Sequence, residues 1–195
     1  MNFTTKIPTS KSDFPINYAS KIVSLGSCFA ENMADKFDYY KFQNTTNPFG
    51  IIFNPISIER IVQRFVNKEF FTEKDIFFHN ERWHCFEVHS EASHENKEVF
   101  LKKLNHILET TNHQIKQATH VIITYGTSWV YRWQFSHKIV ANCHKVAQNQ
   151  FYSIKFSFCS AMQYYTLIYK IFFFAYFFFE FICNIIDDQR LHNQN

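Results

Sequence analysis

Glycine and proline are scarce in this chain, and neither occurs after Gly126. Its 195 residues contain 3 glycines and 4 prolines, whereas average usage would give about 14 glycines. The last 45 residues instead contain ten of the 25 phenylalanines. Since glycine and proline mark most turns of a globular domain, two compositions meet near residue 150. A hydrophobic fraction of 46% with 19% charged residues still excludes wholesale disorder and a polytopic membrane protein.

Paired cysteines and clustered basic residues are missing as well. The five cysteines are an odd number without a C-x-x-C pair, which argues against a disulfide scaffold and a structural zinc site. Four histidines recur every five residues, a spacing that fits neither one helix face nor one strand face, so we expect no metal. They are His79, His84, His89 and His94. With a net charge of +3 and no basic cluster, we expect no nucleic-acid partner. Nothing indicates a cofactor or sets the oligomeric state.

The N-terminal residues contain no apolar run or cleavage pattern of a signal peptide, so we expect a cytoplasmic protein. Residues 171–179 are nine unbroken apolar residues, and the stretch 164–186 approaches the ~20 residues of a membrane span. Lys170 and Glu180 interrupt this stretch, and a central charge costs about 3 kcal/mol on insertion. Membrane contact by the tail is therefore the less favoured alternative.

Strands and helices alternate along the first 150 residues. Residues 21–25 predict a strand that stops at Gly26, before a helix over 30–42. Residues 120–125 form a second apolar strand, which ends at Gly126. Helices are predicted to begin at Asn54-Pro55 and at Ser93-x-x-Asn96, and a hairpin at 129–133 and 139–140. This order is typical of an α/β fold with a parallel sheet and helices on both faces.

The turn Gly26-Ser27-Cys28 is the most informative stretch for function. In a parallel sheet, ligands bind at the carboxyl ends of strands, where this turn is expected. The backbone N–H groups at the start of a helix can hold an anion or a developing oxyanion. A thiol at the start of a helix, as at Cys28, is a more reactive nucleophile, although many turns of this composition have no function.

Five ordered segments resemble the GSCFA-domain family, and together they cover residues 20–149. They are Gly26-Ser27-Cys28-Phe29-Ala30, the segment 47–58, His89-Ser90, the segment 126–131 and the segment 142–146. That family is similar to the SGNH/GDSL hydrolases, three-layer α/β enzymes that cleave acyl esters. The resemblance implies an SGNH-like three-layer fold. It also implies an acyl-ester hydrolase or acyl transferase that acts on a small-molecule ester.

The resemblance also implies site residues. Aligned with Gly-Asp-Ser, the nucleophile falls on Cys28, with Ser27 in place of the aspartate. A shift of one residue makes Ser27 the nucleophile, and both readings stay open. Ser128 stands where SGNH enzymes carry an oxyanion-hole asparagine, for which Asn142 or the Gly50 N–H could substitute. His144 is the candidate general base.

The Asp-x-x-His segment that supplies the base in SGNH enzymes has no counterpart here. His192 follows Asp188 by four residues, which is the wrong spacing. We expect the family resemblance to stop near Phe151. The chain then divides into residues 1–150, an incomplete GSCFA domain, and residues 151–195, a Phe-rich helical tail of uncertain origin. The alternatives to an impaired enzyme are an inactive truncated fragment or interaction module, and a tail-anchored protein.

Overall fold

The computed structural model describes residues 12–155 and, for the backbone alone, residues 178–181. Four parallel strands form the central sheet: β1 (Lys21–Gly26), β2 (Gln43–Thr46), β5 (His120–Thr124) and β9 (Phe178–Phe181). Their order in the sheet is β2-β1-β5-β9. The predicted α/β class with a parallel sheet is thus confirmed.

Helices cover both faces of this sheet. Helix α1 (Cys28–Tyr39) lies on one face, where its Phe37 packs with Ile22 and Ile122. Helices α2 (Pro55–Asn67) and α3 (Lys97–Gln117) lie on the other, over the side chains that alternate with these along β1 and β5. Because successive side chains of a strand point to opposite faces, both sides of β1 and β5 are buried. The result is a three-layer arrangement.

The larger core lies under α2 and α3. Its side chains from the sheet are Val23, Leu25, Val121 and Ile123, and those from the helices are Ile58, Ile61, Val62, Phe65, Phe100, Leu104, Leu108 and Ile115. Helix α2 begins as predicted, because the Asn54 side chain accepts the Ser57 N–H at 2.8 Å and Pro55 occupies the first turn. This core fixes β1 and β5, whose carboxyl ends carry the candidate site.

Two small antiparallel sheets are separate from the central sheet. Strands β3 (Phe77–His79) and β4 (Arg82–His84) form an antiparallel hairpin. Strands β6 (Trp129–Trp133), β7 (Ile139–Val140) and β8 (Phe151–Lys155) form an antiparallel sheet in the order β7-β6-β8. Val130 and Ile139 of that sheet pack against Ile56 at the start of α2. The predicted hairpin at 129–140 is confirmed.

Three expectations differ from the structure. Residues 44–50 have the composition of a loop, but the first three of them belong to β2, a polar edge strand held by backbone pairing to β1. The compositional change at residue 151 is not a structural break, since β8 pairs with β6 along five residues. In the Phe-rich tail, predicted to be helical, residues 178–181 form a strand beside β5. The remaining tail, including most of 164–186, lies outside the described residues.

Candidate active site at the β1–α1 turn

Gly26 ends β1 and makes the turn into α1 possible. Its φ is +130°, and a Cβ there would overlap the carbonyl oxygen of Thr124 on the neighbouring strand β5. Only glycine lets two backbones approach this closely in that conformation. The carboxyl ends of β1 and β5 are therefore held side by side, and the residues after Gly26 start a helix at this edge of the sheet.

Ser27 is the N-cap of α1, and its side chain is turned inward. It is 5% exposed, and its Oγ lies 3.0 Å from Thr124 Oγ1 and accepts the Phe29 N–H at 3.4 Å. The Ser27 N–H itself donates to Thr124 O at 3.1 Å. The hydroxyl thus satisfies the helix start and binds the helix to β5, which is a structural use of a serine at this position.

Cys28, by contrast, is exposed and is the first residue of α1. Among the described residues, none accepts a hydrogen bond from its backbone N–H. An exposed thiol beside an unpaired N–H at a helix start is a geometry in which a bound oxyanion can be stabilised. The two candidate nucleophiles that the sequence left open are therefore placed in opposite ways, one buried and one accessible.

A loop from Asn47 to Phe53 closes over the turn. Asn47 Oδ1 accepts the Gly26 N–H at 2.7 Å, and the Ile52 N–H donates to Gly26 O at 3.0 Å. Gly50 has a φ of +80°, and its N–H donates to Asn47 O at 2.7 Å. The Gly50 N–H, a candidate oxyanion donor, is therefore already paired within the loop.

The loop after β5 completes the edge. Gly126 donates its N–H to Phe53 O at 2.9 Å, and a Cβ on Gly126 would lie 3.0 Å from the Ser27 Cβ. This loop therefore runs directly beside the turn. Ser128, two residues further on, is half-buried at the start of the connection to β6. The structure thus brings Ser128 to the same edge as Cys28.

Asn142 and His144 lie in a different environment. Asn142 Oδ1 accepts the His144 N–H at 2.8 Å. The His144 ring is 3% exposed, contacts the ring of His84 at 4.8 Å between centroids, and pairs through Nε2 with Cys85 O at 2.7 Å. No hydrogen bond in the described part of the chain joins His144 to Ser27 or Cys28.

The charge states of this buried cluster follow from desolvation. Burial lowers the pKa of His144 to about 4, with a smaller contribution from the nearby His84 and His89. Burial likewise raises the pKa of the Cys85 thiol to about 12. A neutral imidazole tied to a backbone carbonyl inside a core is suited to holding the segment 139–146 against the β3–β4 hairpin.

Three residues of the edge carried no prediction. Thr124 holds Ser27, Asn47 holds Gly26, and Glu31 in the first turn of α1 accepts from Asn47 Nδ2 at 3.3 Å. Of these three, only Asn47 has a signal in the sequence, because it begins the turn-forming stretch Asn47-Pro48-Phe49-Gly50. In the structure its φ is +43°, a conformation that asparagine tolerates well.

The sequence of the chain matches a known protein family. The GSCFA family model matches residues 21–173. The chain belongs to the GSCFA family. The letters of that family name stand at residues 26–30 of this GSCFA chain, in the β1–α1 turn. The match runs past Phe151 to residue 173, so our expectation that the resemblance stops near Phe151 is wrong.

No curated protein and no solved structure matched this GSCFA chain. Within residues 12–155, no helix is long and apolar enough to cross a membrane. In the same residues, no group of three or more His, Cys, Asp or Glu side chains is arranged to hold a metal ion.

Proposed function

We propose that this GSCFA-family chain is an SGNH-like acyl-ester hydrolase or acyl transferase that uses Cys28 as its nucleophile. The observation that carries the proposal is the contrast at the turn, where the Cys28 thiol is exposed while Ser27 is a buried helix cap. A nucleophile must reach the acyl carbon of its substrate, and only Cys28 of the two is accessible. The substrate class is a small-molecule acyl ester.

In this mechanism Cys28 attacks the ester carbonyl and forms a thioester, and the alcohol leaves. The backbone N–H of Cys28, at the start of α1, faces the developing oxyanion. Water or a second acceptor then takes the acyl group and restores the thiol. Ser27 and Thr124 keep the turn in place but make no bond to the substrate.

A cytoplasmic location is part of the proposal. Cys28, Cys85 and Cys143 are all free thiols, and free thiols are typical of a reducing compartment. The net charge of +3 without a basic cluster gives no reason to add a nucleic-acid partner.

A second candidate function is a binding or interaction module without turnover. It is favoured by the position of His144, whose ring is buried and paired with Cys85 O rather than with Cys28. Such a module would keep the site geometry but lack the base that a serine or cysteine nucleophile uses.

Turnover of p-nitrophenyl acetate and of an acyl-CoA by the purified chain separates the two candidates. The variants are Cys28→Ala and Ser27→Ala, with Cys143→Ala as the matched cysteine control because Cys143 is a free, half-buried thiol. We expect multiple turnovers that Cys28→Ala abolishes and Cys143→Ala leaves unchanged, and an acyl group mapped to Cys28 by peptide mass spectrometry. Equal background release by all four chains, without an acyl adduct, would refute the enzyme and support the module.

A further inference from the structure

Glu31 lies one helical turn after Cys28. It stands in the first turn of α1, three residues along the helix, and side chains at that spacing share one helix face with Cβ atoms about 5–6 Å apart. Glu31 is half-buried, whereas Cys28 is exposed. The Glu31 carboxylate thus lies on the same face of α1 as the thiol, at a spacing that one water molecule can bridge.

Asn47 holds this carboxylate in place. Its Nδ2 donates to Glu31 Oε1 at 3.3 Å, and its Oδ1 accepts the Gly26 N–H at 2.7 Å. The Asn47 backbone N–H donates to Ser24 O at 2.9 Å, and its carbonyl accepts the Gly50 N–H at 2.7 Å. All four polar groups of Asn47 are used, so its amide has one orientation. Glu31 is therefore fixed on the side of the helix that faces the turn.

Three other candidate acceptors are bonded elsewhere or lie further along the helix. His144 is buried and already bonded to Cys85 O, and Ser27 is bonded to Thr124. Asp35, one turn beyond Glu31, is exposed and further along the helix. We propose that Glu31 is the proton acceptor for Cys28 and that Asn47 is its positioning residue. This inference rests on the proposed function above.

The proton balance is complete within the site. As Cys28 Sγ bonds to the acyl carbon, its S–H proton passes to the Glu31 carboxylate. The protonated Glu31 then gives that proton to the departing alkoxide, which leaves as the alcohol while a thioester forms. In deacylation, water loses a proton to Glu31 and bonds to the acyl carbon, and the C–S bond breaks. Glu31 finally returns the proton to the Cys28 sulfur.

The test compares Glu31→Gln with Asp35→Asn in single-turnover release of p-nitrophenolate from p-nitrophenyl acetate. Glutamine keeps an oxygen that can accept from Asn47 Nδ2 but cannot take a proton. We expect Glu31→Gln to slow acylation about 100-fold or more, and Asp35→Asn to leave it unchanged. Added formate should restore part of the rate to Glu31→Ala, because it supplies the missing carboxylate. Iodoacetamide labelling of Cys28 and thermal unfolding confirm that each variant keeps its fold.

Asn47→Asp tests the positioning role separately. Aspartate keeps the oxygen that accepts from Gly26 but replaces the donor to Glu31 with a second carboxylate oxygen. We expect the acidic limb of its pH–rate profile to move to higher pH, a change that a purely structural contact would not produce.

The outcomes separate this inference from the proposed function. If Cys28→Ala turns over substrate like the wild type, the proposed function fails, and this inference with it. If Cys28→Ala is inactive but Glu31→Gln acylates at the wild-type rate, only the role of Glu31 is overturned. A slow Glu31→Gln without formate rescue of Glu31→Ala would also overturn it, because the carboxylate would then act on structure alone. An unmoved pH profile in Asn47→Asp would remove Asn47 from the proposal.

Discussion

His144 makes the stability of this chain depend on pH within a narrow acidic window. Its ring is 3% exposed and its pKa is lowered by burial to about 4, from an ordinary value of 6.5. Between these two values, the unfolded chain binds a proton that the folded chain does not. The contribution of His144 is therefore fully present above pH 6.5, decreases as the pH falls to 4, and changes no further below that value.

The size of the effect follows from the same two values. Each pKa unit corresponds to about 1.4 kcal/mol, so the full difference is about 3 kcal/mol. Integrated over the window, about 2 kcal/mol of the free energy of unfolding is lost between about pH 8 and pH 5. His84 contributes in the same direction, because burial also lowers its pKa.

Urea unfolding of His144→Gln at about pH 8 and pH 5 measures this contribution. Glutamine carries an amide that can still donate to Cys85 O but does not titrate. The matched control is His137→Gln, because His137 is exposed and has a φ of +55°, close to the +49° of His144. Both substitutions thus place glutamine in the same backbone conformation.

We expect the wild type and His137→Gln to lose at least about 2 kcal/mol on acidification, and His144→Gln to lose about 2 kcal/mol less than they do. An equal loss in all three chains would show that the imidazole of His144 is not desolvated in the folded state. His144 would then have no buried structural role of the kind described above and could act as a general base.

Two further predictions concern residues that support the site. Gly50→Ala would place a Cβ against the His89 side chain at a φ of +80°, so we expect a loss of about 2 kcal/mol in urea unfolding; an unchanged midpoint would contradict the close approach. Arg64→Met removes the paired bonds of 2.7 and 2.9 Å to the Glu87 carboxylate and should cost about 3 kcal/mol. Arg64→Met combined with Glu87→Gln should regain part of this loss, and a purely additive double variant would count against the ion pair.

The sequence predicted the central helices and strands of the fold better than the outer strands of the sheet. The Asn54 cap and the apolar residues of β5 predicted their elements, because both signals are local. Strand β2 escaped prediction since its residues, Gln43–Thr46, are polar and only backbone pairing to β1 makes them a strand. Residues 178–181 carry no period that separates a buried strand from a helix.

The roles of individual residues near the turn depend on contacts that the sequence does not show. Helix α1 was expected at residue 30, whereas it begins at Cys28, and this difference concealed the capping role of Ser27. A helix start at Cys28 would have favoured Ser27 as the N-cap from sequence alone. The burial of His144 could not be predicted, because its partner Cys85 lies 59 residues away in the chain.

The bonds between Ser27 and Thr124 link residues 97 positions apart. During synthesis, Gly26, Ser27 and Cys28 leave the ribosome long before the strand that fixes them. Until β5 pairs with β1, the inward position of Ser27 has no partner, and nothing holds Cys28 at the carboxyl end of the sheet. The site is thus a product of late, long-range contacts, and the contact order of this sheet sets the time at which the chain acquires it.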